Sequence, residues 1–487
     1  MVWRWGSQVL AQFITWGSTI AVVRLLDPRD YGLFAMSQVV VTALTFLNGY
    51  SFATSLIQAR EVDGRRVAQV FGLLLLFNCA LALAQLLLAP LIAQYYQQPL
   101  VAHMLRIQAM LFLTTPFIAL PTALLQRRLD FRKQAIVSTG SAIIAACTAF
   151  LLAWLGFGVW ALVWAPIAGF ASRALGLTLA ARLLVRPSFD FRGAGQIISF
   201  GGALTLCQLF WIIQSQSDIF IAGRAFDPHD LGLYSEALFL TLIVTGRFLP
   251  PINEVAFPAY SELHQHGRSV APYFLRTLRT VALVTAPIYV GLALTAHHAI
   301  VTLFGDKWAE MAPIAAGLSL AMPAMALQIV CSPATNAMGK PRVYVMSSAA
   351  GAIIMPAAFL YGIAAGPYGL VHAWWIAAPL LLAVTLALTL PVVGLGLGKL
   401  VRELAPVAVA CGAMAGAVSL VDHSFTGLAP FAALLLLVPV GVLFYGATLW
   451  LLWPTVVRET WAMVRRTEPS AVVPGDRTTT MPGAPVA

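Results

Sequence analysis

Apolar residues fill this chain in continuous blocks of about twenty or more, parted by short polar stretches. Within each block the apolar run is unbroken rather than alternating, which predicts helices in hydrocarbon and argues against strands. Uncharged stretches such as 134–172 and 343–398 are too long for one crossing, and each holds two. The pattern predicts about 14 transmembrane helices, near 5–26, 33–57, 69–94, 100–125, 134–155, 158–184, 194–223, 232–256, 277–303, 311–338, 343–365, 368–391, 402–421 and 428–453. Arg4 precedes an apolar stretch as in a signal peptide, but no small-x-small cleavage site follows, so the first helix is expected to be retained.

Composition agrees. Hydrophobic residues make up 60% of the 487 positions and charged residues only 10%, against about 25% in a soluble domain. The fold class expected is an all-α integral membrane protein. Five cysteines (Cys79, Cys147, Cys207, Cys331, Cys411) are scattered through apolar blocks with no CxxC, so they read as small core residues.

The net charge of +10 matters mainly through its placement. With the N-terminus in the cytoplasm, inner loops and tails hold 22 Lys/Arg, among them Arg127, Arg128, Arg132 and Lys133, whereas outer loops hold only Arg24, Arg29, Arg224 and Lys307. This asymmetry predicts both termini in the cytoplasm and supports an even number of crossings. It also reads the basic loops as topology signals, not as a nucleic-acid surface.

An internal repeat organises the blocks. Arg24-Leu-Leu-Asp27-Pro28-Arg29-Asp30-Tyr-Gly32-Leu33-Phe34 returns as Arg224-Ala-Phe-Asp227-Pro228-His229-Asp230-Leu-Gly232-Leu233-Tyr234, with six of eleven positions identical. Six helices separate the copies, an even number, so the halves point the same way and form a parallel repeat. The expected division is an N-terminal six-helix half (1–193), a C-terminal six-helix half (194–398), two additional transmembrane helices (399–453) and a cytoplasmic, largely disordered tail (454–487). Later correspondences, such as 121–127 with 333–339, show a longer offset. A longer inner loop at about 257–276 is expected to absorb the difference. Asp27, Pro28 and Gly32, with Asp227, Pro228 and Gly232, read as a structural turn on the outer face: Pro fixes φ, Asp caps the helix and Gly closes the bend.

Charges at membrane depth are expensive and should face a watery or paired interior. The candidates are Arg106, Arg173, Arg247, Asp218 and Glu254. Three arginines against two acids make a mildly cationic lumen, suited to pyrophosphate or acidic sugars. Plainer alternatives exist: Arg106 can snorkel to the outer interface, Arg247 and Glu254 can pair through an intermediary, and Asp218 can couple an ion, bind an arginine of another helix or lock the two halves, the lock being favoured. Arg173 is the hardest to excuse by depth and reads as a lumen residue. Gln208 and Gln214 share the helix of Asp218 and make it the most polar one, the leading candidate for cavity lining. Pro250-Pro251 and Pro116/Pro121 are expected to interrupt their helices. Gly394-Leu-Gly396-Leu-Gly398-Lys399 has the wrong spacing for a phosphate loop, so ATP is not the direct fuel. His264 and His266 lack acidic partners in sequence, and neither a cofactor nor a metal site is expected.

Several segments, in order, resemble the Wzx-like oligosaccharide flippases of the polysaccharide transporter family, within the multidrug/oligosaccharidyl-lipid/polysaccharide flippase superfamily. They are the Arg24–Phe34 motif, its echo from Ser217-Asp218 to Tyr234-Ser235, Leu125-Gln-Arg127-Arg128-Leu-Asp130-Phe-Arg132, Gly156-Phe-Gly158-Val-Trp160 and Phe304-Gly305-Asp-Lys-Trp308. The resemblance implies two halves around a central cavity working by alternating access, without catalysis. It implies translocation of a polyprenyl-pyrophosphate-linked oligosaccharide from the cytoplasmic to the periplasmic leaflet of the bacterial inner membrane, for lipopolysaccharide or exopolysaccharide export. The implied partners are that lipid-linked oligosaccharide, the lipid bilayer, a coupling ion (H+ or Na+) and the polysaccharide polymerase and chain-length machinery. A multidrug/cation antiporter of the same superfamily and a membrane-embedded oligosaccharide polymerase are the alternatives. The first wants a lumen of carboxylates, and the second a large outer catalytic loop.

Overall fold

A computed structural model describes residues 17–48, 53, 56, 63–182, 185–190, 195–425, 427–455, 457 and 458, with only the backbone over 195–208. The start of the first predicted crossing, the tail beyond 458 and the Gln208 side chain lie outside the described residues.

The described residues contain helices and no strand. A helix over 17–25 (α1) is followed by α2 (Pro28–Phe46) and α3 (Gly64–Tyr96). Three short helices come next: α4 (Pro99–Gln108), α5 (Met110–Thr114) and α6 (Pro116–Arg127). The chain continues through α7 (Phe131–Trp154), α8 (Trp160–Ala181), α9 (Gly195–Ala225), α10 (Pro228–Gln265), α11 (Ala271–Phe304), α12 (Met311–Ile329) and α13 (Cys331–Ala337). It ends in α14 (Pro341–Gly362), α15 (Gly366–Val393), α16 (Leu397–Ser424) and α17 (Pro430–Leu452). Among the described residues, 10 stretches are long and apolar enough to cross a membrane, one of them Pro341–Val393, which holds both α14 and α15.

Helix starts follow local chemistry. Asp227 stands in extended backbone before Pro228, and its Oδ1 accepts from the Asp230 N–H at 2.8 Å. That is the cap a side-chain oxygen offers a first helical turn. Asp63 does the same for Arg66 at 2.9 Å. Asp130 accepts from the Lys133 N–H at 3.3 Å and pairs with its ammonium at 2.8 Å, contacts that hold its carboxyl below the usual carboxylate range.

Two expectations about helix breaks divide. The predicted fourth crossing is broken into α4, α5 and α6, the last opening on Pro116, whereas Pro121 lies inside α6 without interrupting it. The predicted eighth is not broken: α10 runs unbroken through Pro250, Pro251 and Pro258. Neighbouring groups in a helical assembly can take up the backbone groups a proline frees. Nor does a long loop exist at 257–276, because α10 extends to Gln265 and α11 begins at Ala271. The added turns are pinned by packing: Tyr260 is buried, donates to Thr277 Oγ1 at 2.7 Å and meets the Phe274 ring edge-on.

The apolar core is unequal at the two ends of the molecule. At the end bearing the repeated motifs, one cluster joins residues from both copies, with Val22, Tyr31 and Met36 beside Leu231, Tyr234 and Trp308. At the opposite end the clusters are separate. One is built from residues before the second motif, such as Leu56, Phe71 and Leu120. Another is built from residues after it, such as Leu249, Phe274 and Leu400.

Helices α11 and α16 lie parallel, tied twice. Arg279 bonds Glu403 at 2.9 Å near one end, and His298 bonds Asp422 at 3.0 Å near the other. The two ties are 19 residues apart on each helix, about 28 Å of helix. That matches the thickness of a bilayer's hydrocarbon core, about 30 Å. The two ties dock the C-terminal pair on α11.

Candidate functional site

The repeated motifs meet face to face. A Cβ added to Gly32 would lie 1.8 Å from the Pro228 carbonyl oxygen, and one added to Gly232 would lie 1.7 Å from that of Pro28. The contact is reciprocal and admits only glycine. Sequence reasoning gave these glycines a bend; instead they lie inside α2 and α10 without positive φ, and their role is close helix approach. Asp27 and Asp227 occupy N-cap positions and Pro28 and Pro228 the first turns, as a structural turn requires.

The arginines of the motifs also reach across. Arg24 Nε donates to the Leu303 carbonyl at 2.7 Å, and its Nη2 donates to that of Thr302, at the C-terminal end of α11. Arg224 Nη1 donates to the Tyr95 carbonyl at 2.5 Å, at the C-terminal end of α3. A helix end leaves carbonyls without partners and carries partial negative charge, so guanidinium is a suitable clamp. Two further contacts seal the same end. Lys307 Nζ lies 3.3 Å from Asp27, and the fully buried Trp308 donates from Nε1 to the Val23 carbonyl at 3.0 Å. Asp30 ties the N-terminus of α2 to α8 by accepting from the Val159 N–H at 3.1 Å. None of these cross-links was legible as a contact in the sequence. The recurrence of Arg at one position in both copies was the available signal.

Beneath this seal lie two cavities. One, about 390 Å3, is walled by α1, α2, α7, α8 and α10. The other, about 470 Å3, is walled by α1, α10 and α11. Thr19, Glu236 and Phe239 line both. Arg247 lines the larger, 11 residues from Glu236, which is three turns and about 16 Å along one face of α10. Sequence reasoning passed over Glu236, although an acid inside an apolar block was signal enough.

The other predicted residues are placed as follows. Arg173 is partly buried on α8, and its Nε has no hydrogen-bond partner. Arg106 is exposed in the last turn of α4, and Glu254 is exposed on α10, two turns beyond Arg247. Arg173, Arg106 and Glu254 all lie outside the linings of the two cavities. Asp218 is buried and accepts from the Tyr234 hydroxyl at 3.0 Å, which in turn accepts from Trp374 Nε1 at 2.8 Å. That chain binds α9, α10 and α15 together, a lock of helices within residues 194–398 and not, as expected, of the two halves. Gln214 is also buried, with Oε1 packed over Gly351 of α14, where a Cβ would meet it at 2.2 Å. Asp227, His229 and Asp230 bring three donors within 4.8 Å at the motif end. Capping of α10 by Asp227 already accounts for that grouping.

Comparison with known proteins agrees with this architecture. Residues 21–313 match the family described as polysaccharide biosynthesis protein. The chain is 29% identical over 320 residues to the succinoglycan biosynthesis transport protein ExoT of Rhizobium meliloti (strain 1021), covering 65% of each chain. It is 23% identical over 299 residues to the lipopolysaccharide biosynthesis protein WzxC of Escherichia coli (strain K12), covering 60% of each. The match therefore spans a little under two thirds of either relative. Among solved structures, the lipid II flippase MurJ in an inward closed conformation superposes with TM-score 0.77 at 13% identity, over 94% of this chain and 100% of that one. At that identity the likeness shows the fold. The family match covers more than half of the sequence, and the helices are those of a multi-pass membrane protein. The chain belongs to the polysaccharide biosynthesis protein family.

Proposed function

We propose that the chain flips a polyprenyl-pyrophosphate-linked oligosaccharide from the cytoplasmic to the periplasmic leaflet of the bacterial inner membrane, by alternating access. In this reading the fourteen crossings comprise two six-helix halves, 1–193 and 194–398, around a central cavity, with two further helices docked on α11. The motif end faces the periplasm and both termini the cytoplasm. Arg247 and Arg173 bind the pyrophosphate or acidic sugars, for which guanidinium offers a fork of donors. The C-terminal tail lies in the cytoplasm, a coupling ion drives the cycle, and the polymerase and chain-length machinery receive the product.

The observation that carries the reading is the reciprocal seat of Gly32 under Pro228 and Gly232 under Pro28. A shared core lies at that end, and separate cores at the other. Such a molecule has one closed end and two bodies free to part at the other. The names of ExoT and WzxC support the polysaccharide cargo. The test is deletion of the gene with recovery of lipid-linked oligosaccharides. Loss of exported polysaccharide with accumulation of finished intermediates is expected. Normal export, in a strain with no second transporter of this family, would overturn the reading.

A further inference from the structure

Glu236 is an interior acid that this scheme of cargo recognition does not use. It lies eight residues into α10, about 12 Å from the motif end of that helix, and lines both cavities. No hydrogen bond or ion pair engages it among the described residues. The groups that face it explain why. Helices α7 and α8 offer it only apolar residues, and α11 offers Leu303 and Phe304.

Every charge nearby is occupied or remote. Arg24 of α1 is held by the Thr302 and Leu303 carbonyls, Lys307 by Asp27, and Asp30 by the Val159 N–H. His229 and Asp230, at the start of α10, lie 3.8 Å from each other. Arg247 is about 16 Å away along the helix. Tyr31 of α2 is the remaining titratable neighbour.

A carboxylate without compensation in such a space is expensive. Either a metal cation or a proton can remove its charge. Hard cations take six or more oxygen ligands. Besides the carboxylate, the side chains lining the two cavities offer only three hydroxyl oxygens, those of Ser18, Thr19 and Tyr31, and Ser18 and Tyr31 line the smaller cavity alone, too few for such a shell. A proton needs no such shell. We propose that Glu236 is a proton-exchange site. Its carboxylate takes a proton from the side to which the cavity is open, becoming a neutral carboxylic acid, and releases it as carboxylate when the cavity opens to the other side. The exchange does not depend on the cargo; its coupling to transport rests on the flippase reading.

The test uses the purified full chain in lipid vesicles and N,N′-dicyclohexylcarbodiimide, which adds to protonated carboxyls in apolar surroundings. A thiol probe on Thr19→Cys reports that the cavity is reachable. The expected result is an adduct on Glu236 whose yield falls as pH rises, present in Glu236→Asp and lost in Glu236→Gln. An absent adduct, or one independent of pH, would overturn the site. In cells, polysaccharide export by Glu236→Gln should fall at least tenfold or lose its response to a protonophore. Wild-type export with wild-type sensitivity would overturn the coupling. If labelling behaves as expected while deletion leaves export intact, the proton site stands and the flippase reading falls.

Discussion

Gly32 and Gly232 each sit beneath the other motif's proline carbonyl, at contacts no other residue can enter. Replacing Gly32 with Ala forces α2 and α10 apart, and overpacking of this kind costs about 1–3 kcal/mol. The Gly232→Ala change should cost as much. Because the two contacts share one interface, the double variant should cost less than the sum. Thermal unfolding of purified protein in detergent measures this; full additivity would argue that the contacts are independent.

Arg24 and Arg224 make the same kind of contact in opposite directions. Each contact is partly solvent-exposed, so removing one should weaken the closed end by only about 1 kcal/mol, roughly a fivefold shift toward opening. Spin labels placed across the motif end would report longer distances in Arg24→Gln and in Arg224→Gln, with a larger change in the pair. Unchanged distance distributions would remove the arginines from the seal.

Trp308 is the largest fully buried side chain at that end. Trp308→Phe should cost about 1 kcal/mol by leaving the Val23 carbonyl without its donor, whereas Trp308→Ala should cost about 3–5 kcal/mol through the cavity it leaves. Equal melting temperatures for the two variants would contradict the packing described.

The chain of Asp218, Tyr234 and Trp374 predicts a stability phenotype, not a transport one. Tyr234→Phe leaves Asp218 Oδ2 and the buried Trp374 indole N–H without a partner, at about 1–3 kcal/mol for each group left unpaired. Asp218 Oδ1 keeps the Ile219 N–H at 2.8 Å. Surviving protein should export at near the wild-type rate per molecule. Full stability with lost export would instead make Asp218 part of the substrate path.

Much of this fold was legible in the sequence, and the limits have physical causes. Continuous apolar runs gave the helices, and the duplicated Arg-Asp-Pro-Asp-Gly motif marked the segments that meet. What a single chain cannot display is which surface each residue meets. Gly32 looked like a bend because its partner, the Pro228 carbonyl, is two hundred residues away. Pro250 and Pro251 looked like a break because their cost is set by neighbours that only the packed bundle supplies. Residues 257–265 looked like a loop until Tyr260 found Thr277 and Phe274. For the candidate site, Arg247 was legible from depth alone and does line a cavity. Gln214, legible by the same argument, packs against Gly351 instead, because polarity in a membrane helix serves adhesion as readily as a lumen.

The most direct measurement of the central claim is the sidedness of lipid-linked oligosaccharides in cells lacking the gene, read with a sugar-modifying enzyme applied to right-side-out vesicles. Finished intermediates should be shielded until the vesicles are opened, with access restored when the wild-type gene returns. Intermediates already exposed on the outer face in the deletion strain would contradict it.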